Sequence, residues 1–246
     1  MSDVIQFPEH DPTDTPIETL VVAAPAGEAT AGLVVIGVPS GYAALEAHRA
    51  IGAGADVMLV SDGISIDDEV VLKRRAHDAG HLLMGPGCET AIIDGIGIGF
   101  ANAVSAGRVG VIATSGTSAQ EATVLLDRFG VGVSTCLVTG RRDLTDKVGA
   151  ATALDSLARL ATDTATEVIL LVADAWSPEV ARRLLPALAA TGKPGSVCLM
   201  GADGVASPDG VEVHPAIDGA ALGATRLAGA RPVIPATEPT GWVSAG

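Results

Sequence analysis

Aromatic side chains are almost missing from this chain: two Trp, one Tyr and three Phe among 246 residues. So few rings leave no stacking platform for nucleic-acid bases. The charge argues the same way, since 29 Asp and Glu against 15 Lys and Arg leave a net −14. Cysteine is scarce as well. Cys88, Cys136 and Cys198 are odd in number, lie far apart and form no Cys-x-x-Cys pair, which argues against a disulfide framework or a zinc site. His48, His77 and His81 show no metal-ligand spacing either, so no metal is expected. No apolar run reaches the length of a membrane span, and the stretch from Met1 to His10 lacks the basic and apolar regions of a signal peptide. The sequence therefore reads as a cytoplasmic protein.

What is abundant is aliphatic. Hydrophobic residues make up 48% of the chain, so the core must come from Ala, Val, Ile and Leu, a composition that suits parallel strands covered on both faces by helices. Residues 1–32 read as a tail with a short extended segment, because Pro8, Pro12 and Pro16 interrupt any regular element. Between 33 and 88 the pattern alternates: strands at Leu33–Val38, Asp56–Val60 and His81–Met84, helices at Ala43–Ala53 and Asp67–Ala79. A glycine-interrupted connection, irregular or a hairpin, fills 89–106. The alternation resumes over 107–230, with strands at Arg108–Ala113, Gly132–Val138, Glu167–Val172, Gly195–Met200 and Val211–Val213. Its helices are expected at Ser118–Phe129, about Leu144–Leu160, Pro178–Ala190 and near Ile217–Leu227. Five strands with intervening helices predict a flavodoxin-like doubly wound sheet, and residues 231–246, with Pro232, Pro235 and Pro239, read as a second tail.

The stretch Gly107–Ala122 organises the second unit. A buried strand runs into the small-residue turn Thr114-Ser115-Gly116-Thr117 and then directly into a helix. Free backbone N–H groups and the positive end of the helix dipole favour an anion there, so Thr114, Ser115, Gly116 and Thr117 are candidate binders of phosphate or carboxylate. The same residues also suit an ordinary Ser/Thr helix cap. Arg141, Arg142 and Asp143 follow the next strand on the ligand-binding edge. Two guanidinium groups there can clamp an oxyanion, or the segment is a solvated loop.

Several separated motifs carry a family resemblance. Gly85-Pro-Gly-Cys88, Gly107 to Thr117, Gly132 to Cys136 and Thr166 to Asp174 resemble the α subunit of succinyl-CoA synthetase. With Phe100-Ala-Asn102 and Gly140 to Leu144, the chain resembles more closely the N-terminal half of FdrA-family proteins, relatives of the acyl-CoA synthetases, over roughly Leu33 to Gly201. The resemblance implies a truncated Rossmann-like CoA-binding-type domain followed by a flavodoxin-like ligase domain. It places Ser115, Gly116 and Thr117 at a phosphate cradle that in the synthetase holds a phosphohistidine. It also places Asp174 as the acid that orients that histidine; capping of the helix after Ser177-Pro178 is the alternative for Asp174.

Two departures limit the transfer. The synthetase's Gly-His-Ala-Gly loop has no match between Met200 and Gly246, where His214 is the only histidine. The Gly-rich first turn that holds CoA has no counterpart, so CoA is not expected to bind in the family's mode. FdrA-family relatives act with separately encoded partner subunits in oxamate carbamoyltransferase, which converts oxalurate and phosphate to oxamate and carbamoyl phosphate. The resemblance thus implies a partner-dependent subunit that handles phosphate or carbamoyl phosphate, with Asp174, Arg141 and Arg142 as catalytic candidates. An NDP-forming acyl-CoA ligase subunit and a non-catalytic scaffold are the alternatives.

Overall fold

The computed structural model describes residues 20–22, 32–202 and 204–232. The predicted tail over 1–16, with His10, and the C-terminal one beyond residue 232 lie outside the described residues. In chain order the first unit contains β1 (Leu20–Val22), β2 (Leu33–Ile36), α1 (Ser40–Gly52), β3 (Asp56–Leu59), α2 (Ile66–Asp78) and β4 (Leu83–Met84). These strands form a sheet in the order β1-β2-β3-β4, parallel from β2 to β4, with β1 antiparallel at the edge.

A second sheet follows, from β5 (Thr90–Ile93), β6 (Ile96–Gly99), β7 (Ala106–Ala113), α3 (Gly116–Arg128), β8 (Val133–Val138), α4 (Ala151–Thr162), β9 (Val168–Ala173), α5 (Pro178–Ala190), β10 (Gly195–Leu199), β11 (Val211–His214) and α6 (Ile217–Leu227). Its order is β11-β10-β9-β7-β8-β5-β6. The five strands from β7 to β11 are parallel and take the flavodoxin order, while the hairpin β5–β6 extends the sheet antiparallel to β8. The fold is α/β with parallel sheets, as the aliphatic composition predicts. β8 and β9 are buried along their whole length, because helices cover both faces and every alternate side chain meets apolar neighbours.

Strand alternation also explains how the two sheets join. Ile36, Val57, Leu59 and Leu83 point toward α1 and α2 in a small core of their own. Their neighbours Met58 and Met84 point the other way, into the core that contains β5, β7, β8, α3 and α6. One face of the short sheet therefore lies against the second sheet's core. The backbones meet at Gly85 and Gly140: Gly85 N–H donates to Val138 O at 3.2 Å, and a Cβ on Gly140, whose φ is +94°, would stand 2.7 Å from the Gly85 carbonyl. No side chain fits in that crossing.

Three predicted boundaries are corrected. The helix expected from Ser118 begins at Gly116, because Ser115 is its N-cap. Gly132 has φ +66° and is not part of the strand, which starts at Val133. The helix expected from about Leu144 begins only at Ala151. Gly149 and Ala150 are both left-handed, and Asp143 reaches forward to accept from Thr152 and Ala153 N–H at 3.1 and 2.9 Å, so the chain loops before it coils.

Candidate functional site

The N-terminus of α3 presents two different sides. On the first, Ser115 Oγ accepts from Ser118 N–H at 3.2 Å and Ser118 Oγ donates to Asp174 at the end of β9. Thr114 Oγ1 accepts from Asp174 N–H at 3.0 Å. Thr114, Ser115 and Ser118 are buried, so this side is a closed network in which hydroxyls tie the turn after β7 to the turn after β9. Asp174 is not a helix cap. Ser177 caps α5, accepting from Val180 N–H at 3.1 Å.

On the other side the N–H groups of Gly116 and Thr117 have no partner among the described residues. They open into a cleft of about 430 Å³ between the two sheets. Gly116, Thr117, Arg141 and Arg142 line one wall of it. The rest of the lining comes from Asp62 on the turn after β3, from Pro86 after β4, and from Glu89 and Thr90 where the chain enters β5 of the second sheet. Thr90 is only 3% exposed, and its hydroxyl points at Gly116: a Cβ placed there would lie 3.5 Å from Thr90 Oγ1. That hydroxyl makes no hydrogen bond among the described residues. The structure thus brings Gly116, Thr117, Arg141 and Arg142 together, and puts Thr114, Ser115 and Asp174 in the neighbouring network.

The two arginines are not equivalent. Arg141 is exposed at the cleft and pairs with no described carboxylate. Arg142 is held from behind: its Nε donates to Glu69 at 2.7 Å and its Nη2 to Ile64 O at 3.0 Å. Glu69 belongs to a fully buried charge cluster that sequence reasoning missed. Lys73 Nζ donates to Asp143 at 2.8 Å and Thr139 O at 2.9 Å, and lies 2.8 Å from Glu69 Oε1. This last contact compensates charge without being a directed hydrogen bond. The cluster links α2 to the loop after β8 and so joins the cleft's two walls. The one available signal was the i,i+4 spacing of Glu69 and Lys73, which equally describes a solvated helix pair. Asp62 had one sequence signal, its place in the Ser61-Asp62-Gly63 loop after a strand's C-terminal end, where open α/β sheets bind ligands; Glu89, at the border of the connection over 89–106, and Thr90 had none.

The remaining groups are structural. His214 ends β11 under α6, where Gly219 and Gly223 make room for its ring. Burial pushes the Cys88 and Cys198 thiols up to about 12, with carboxylates near Cys198 adding to the effect, and raises Cys136 further. No group of His, Cys, Asp or Glu among the described residues could hold a metal ion, and no described helix is long and apolar enough to cross a membrane.

Comparison with known proteins sorts this geometry. Over 68% of its length the chain is 44% identical to the uncharacterised protein YahF of Escherichia coli K12, of which it covers 33%. It is 30% identical to the α2 subunit of the ADP-forming succinate–CoA ligase of Archaeoglobus fulgidus, over 60% of this chain and 51% of that one. It is 29% identical to the malate–CoA ligase α subunit of Methylorubrum extorquens, over 66% and 56%. The chain is homologous to CoA-ligase α subunits. It spans between a third and somewhat over half the length of these curated relatives. Solved structures share the fold of this ligase homologue. The dinucleotide-forming acetyl-CoA synthetase of Ca. Korarchaeum cryptofilum matches with TM-score 0.62 and 21% identity, over 80% of this chain and 48% of that one. The ATP citrate lyase of Methanothrix soehngenii matches with TM-score 0.60 and 19% identity, over 80% and 35%. No protein-family model matches the sequence.

Proposed function

We propose that this chain is the α-like part of an acyl-CoA-ligase-like enzyme, completed by a separately encoded partner subunit. In this reading the interdomain cleft receives the phosphate or carboxylate group of the reacting molecule. The observation that carries it is the pair of unpartnered N–H groups at Gly116 and Thr117, which open into the cleft beside Arg141 and under the free hydroxyl of Thr90. Preorganised donors of this kind bind an oxyanion without having to reorganise first. The closed Asp174–Ser118 network lies one turn away on the same helix end. With His214 packed under α6, a phosphoryl-carrying histidine would come from outside this sequence.

Carbamoyl transfer in the manner of oxamate carbamoyltransferase rests on the FdrA resemblance alone. The named relatives of known activity are CoA ligases, so the ligase reading stands first. One experiment separates the two. The chain and its partner subunit are incubated with γ-labelled nucleotide and an acyl acid, and in parallel with oxalurate and phosphate. An acid-labile phosphoryl-protein label supports the ligase; carbamoyl phosphate formed without protein label overturns it.

The cleft itself is tested with Gly116→Val. The new Cβ meets Thr90 Oγ1 at an ordinary 3.5 Å, so folding survives while the methyl groups fill the space above the helix end. Phosphate affinity should fall at least about tenfold. A normally folded Gly116→Val protein with wild-type phosphate affinity would show that the turn is only a cap.

A further inference from the structure

The cleft is electrically two-sided. Its anion-favouring features are the α3 N-terminus and Arg141; the same cleft is lined by Asp62, on the turn after β3 of the first sheet, and Glu89, directly before β5 of the second. All three charged side chains are exposed, and none forms an ion pair with a described residue. Arg142, the fourth charge at the rim, is already balanced by Glu69. A site meant only for a phosphate or dicarboxylate would leave two unpaired carboxylates in its lining opposing its ligand. Such opposition is how a pocket rejects a wrong charge.

We infer that the cleft selects an acid bearing an ammonium group at its other end. The carboxylate or phosphate sits on Gly116, Thr117, Thr90 and Arg141, and the ammonium group between Asp62 and Glu89. This specificity rests on the cleft being the anion site proposed above. The nearly buried Thr90 hydroxyl, aimed at the helix end with no partner of its own, marks where the anionic end is received. Asp62 lies against Gly87, where a Cβ would be 3.6 Å from Asp62 Cβ, so the turn after β3 touches the segment that carries Glu89 two residues later.

The test measures binding of three probes of similar size to the full chain by calorimetry: 4-aminobutyrate, butyrate and succinate. We expect 4-aminobutyrate to bind about tenfold tighter than succinate, with butyrate between them. The double variant Asp62→Asn/Glu89→Gln, which alters only exposed positions, should bring 4-aminobutyrate and succinate to within about threefold of each other. Succinate binding as tightly as 4-aminobutyrate overturns the inference, as does a preference that survives in the double variant or the failure of all three probes to bind. Succinate binding that requires Mg²⁺ and is lost in the double variant also overturns it, because the acids would then be holding a cation. A phosphate titration separates the two levels. If phosphate binds wild type but not Gly116→Val while 4-aminobutyrate is not preferred, only the charge selectivity is wrong; if phosphate also fails to bind, the cleft is not an anion site.

Discussion

Lys73→Met removes the one fully buried cation from a cluster whose two carboxylates are shut away from solvent. Glu69 and Asp143 are both fully buried, and each lies 2.8 Å from Lys73 Nζ. Deleting one partner of a buried ion pair costs about 3–5 kcal/mol, because the charge left behind is uncompensated. Here the loss is shared. Arg142 remains on Glu69 Oε2, and the N–H groups of Thr152 and Ala153 remain on Asp143, which places the cost near the lower end, about 3 kcal/mol. At about 2–4 °C per kcal/mol for a protein of this size, Tm should fall by about 6–12 °C in a calorimetric scan. Adding Glu69→Gln to Lys73→Met takes away one of the stranded charges and should recover part of the loss. If Lys73→Met melts within about 2 °C of wild type, the cluster is not held by charge compensation and the argument for it fails.

Ser115→Ala removes the α3 cap and should cost about 1 kcal/mol of stability with little change in phosphate affinity, since Ser115 is buried and does not line the cleft; circular dichroism melts and a phosphate titration check both. The three thiols, raised well above neutral pH by burial, should resist an aromatic disulfide reagent at pH 8 and all react after unfolding in guanidinium; rapid labelling of the native protein would contradict their burial. The hydrogen bond and charge of Asp155 raise the His77 pKa above 6.5, so the contact stabilises fully below about pH 6.5 and fades as pH rises through the raised value. Burial raises the Asp155 pKa, a second loss of stability with rising pH that belongs to the acid range. His77→Ala should flatten the Tm-versus-pH curve above pH 6.5, and only slightly, because the imidazole is well exposed.

Much of the architecture was legible because its signals are local. β9 is an unbroken apolar run, which only a strand covered on both faces can use, and Ser-Pro at 177–178 marks the start of α5 through the preference of proline for the first helical turn. The largest error arose where a distant group decided the local outcome. The helix after β8 starts late because Asp143 caps it from eight residues before its first residue, while the same carboxylate accepts from Lys73 on a helix of the other sheet. No periodicity within residues 141–160 contains that information.

The site divides along the same line. The strand, small-residue turn and helix around Gly116 are contiguous in sequence, so a candidate anion site is legible there from the residues alone. The rest of its lining joins distant stretches: Glu89 and Thr90 arrive with β5, which pairs with β8, and Asp62 comes from the first sheet, which meets the second where Gly85 and Gly140 let two backbones touch. Without that crossing, Glu69 and Lys73 are an ordinary i,i+4 pair, Arg142 is a free guanidinium, and Asp62 and Glu89 are two acids among 29. With it, Arg142 is neutralised from behind, and Arg141 shares the cleft's lining with two carboxylates that pair with no described residue. The backbone crossing therefore decides more than the packing of two sheets. It also sets which charges line the proposed site, so under that proposal Asp62 and Glu89, rather than the turn at Gly116, are where the substrate would differ from those of the CoA-ligase subunits.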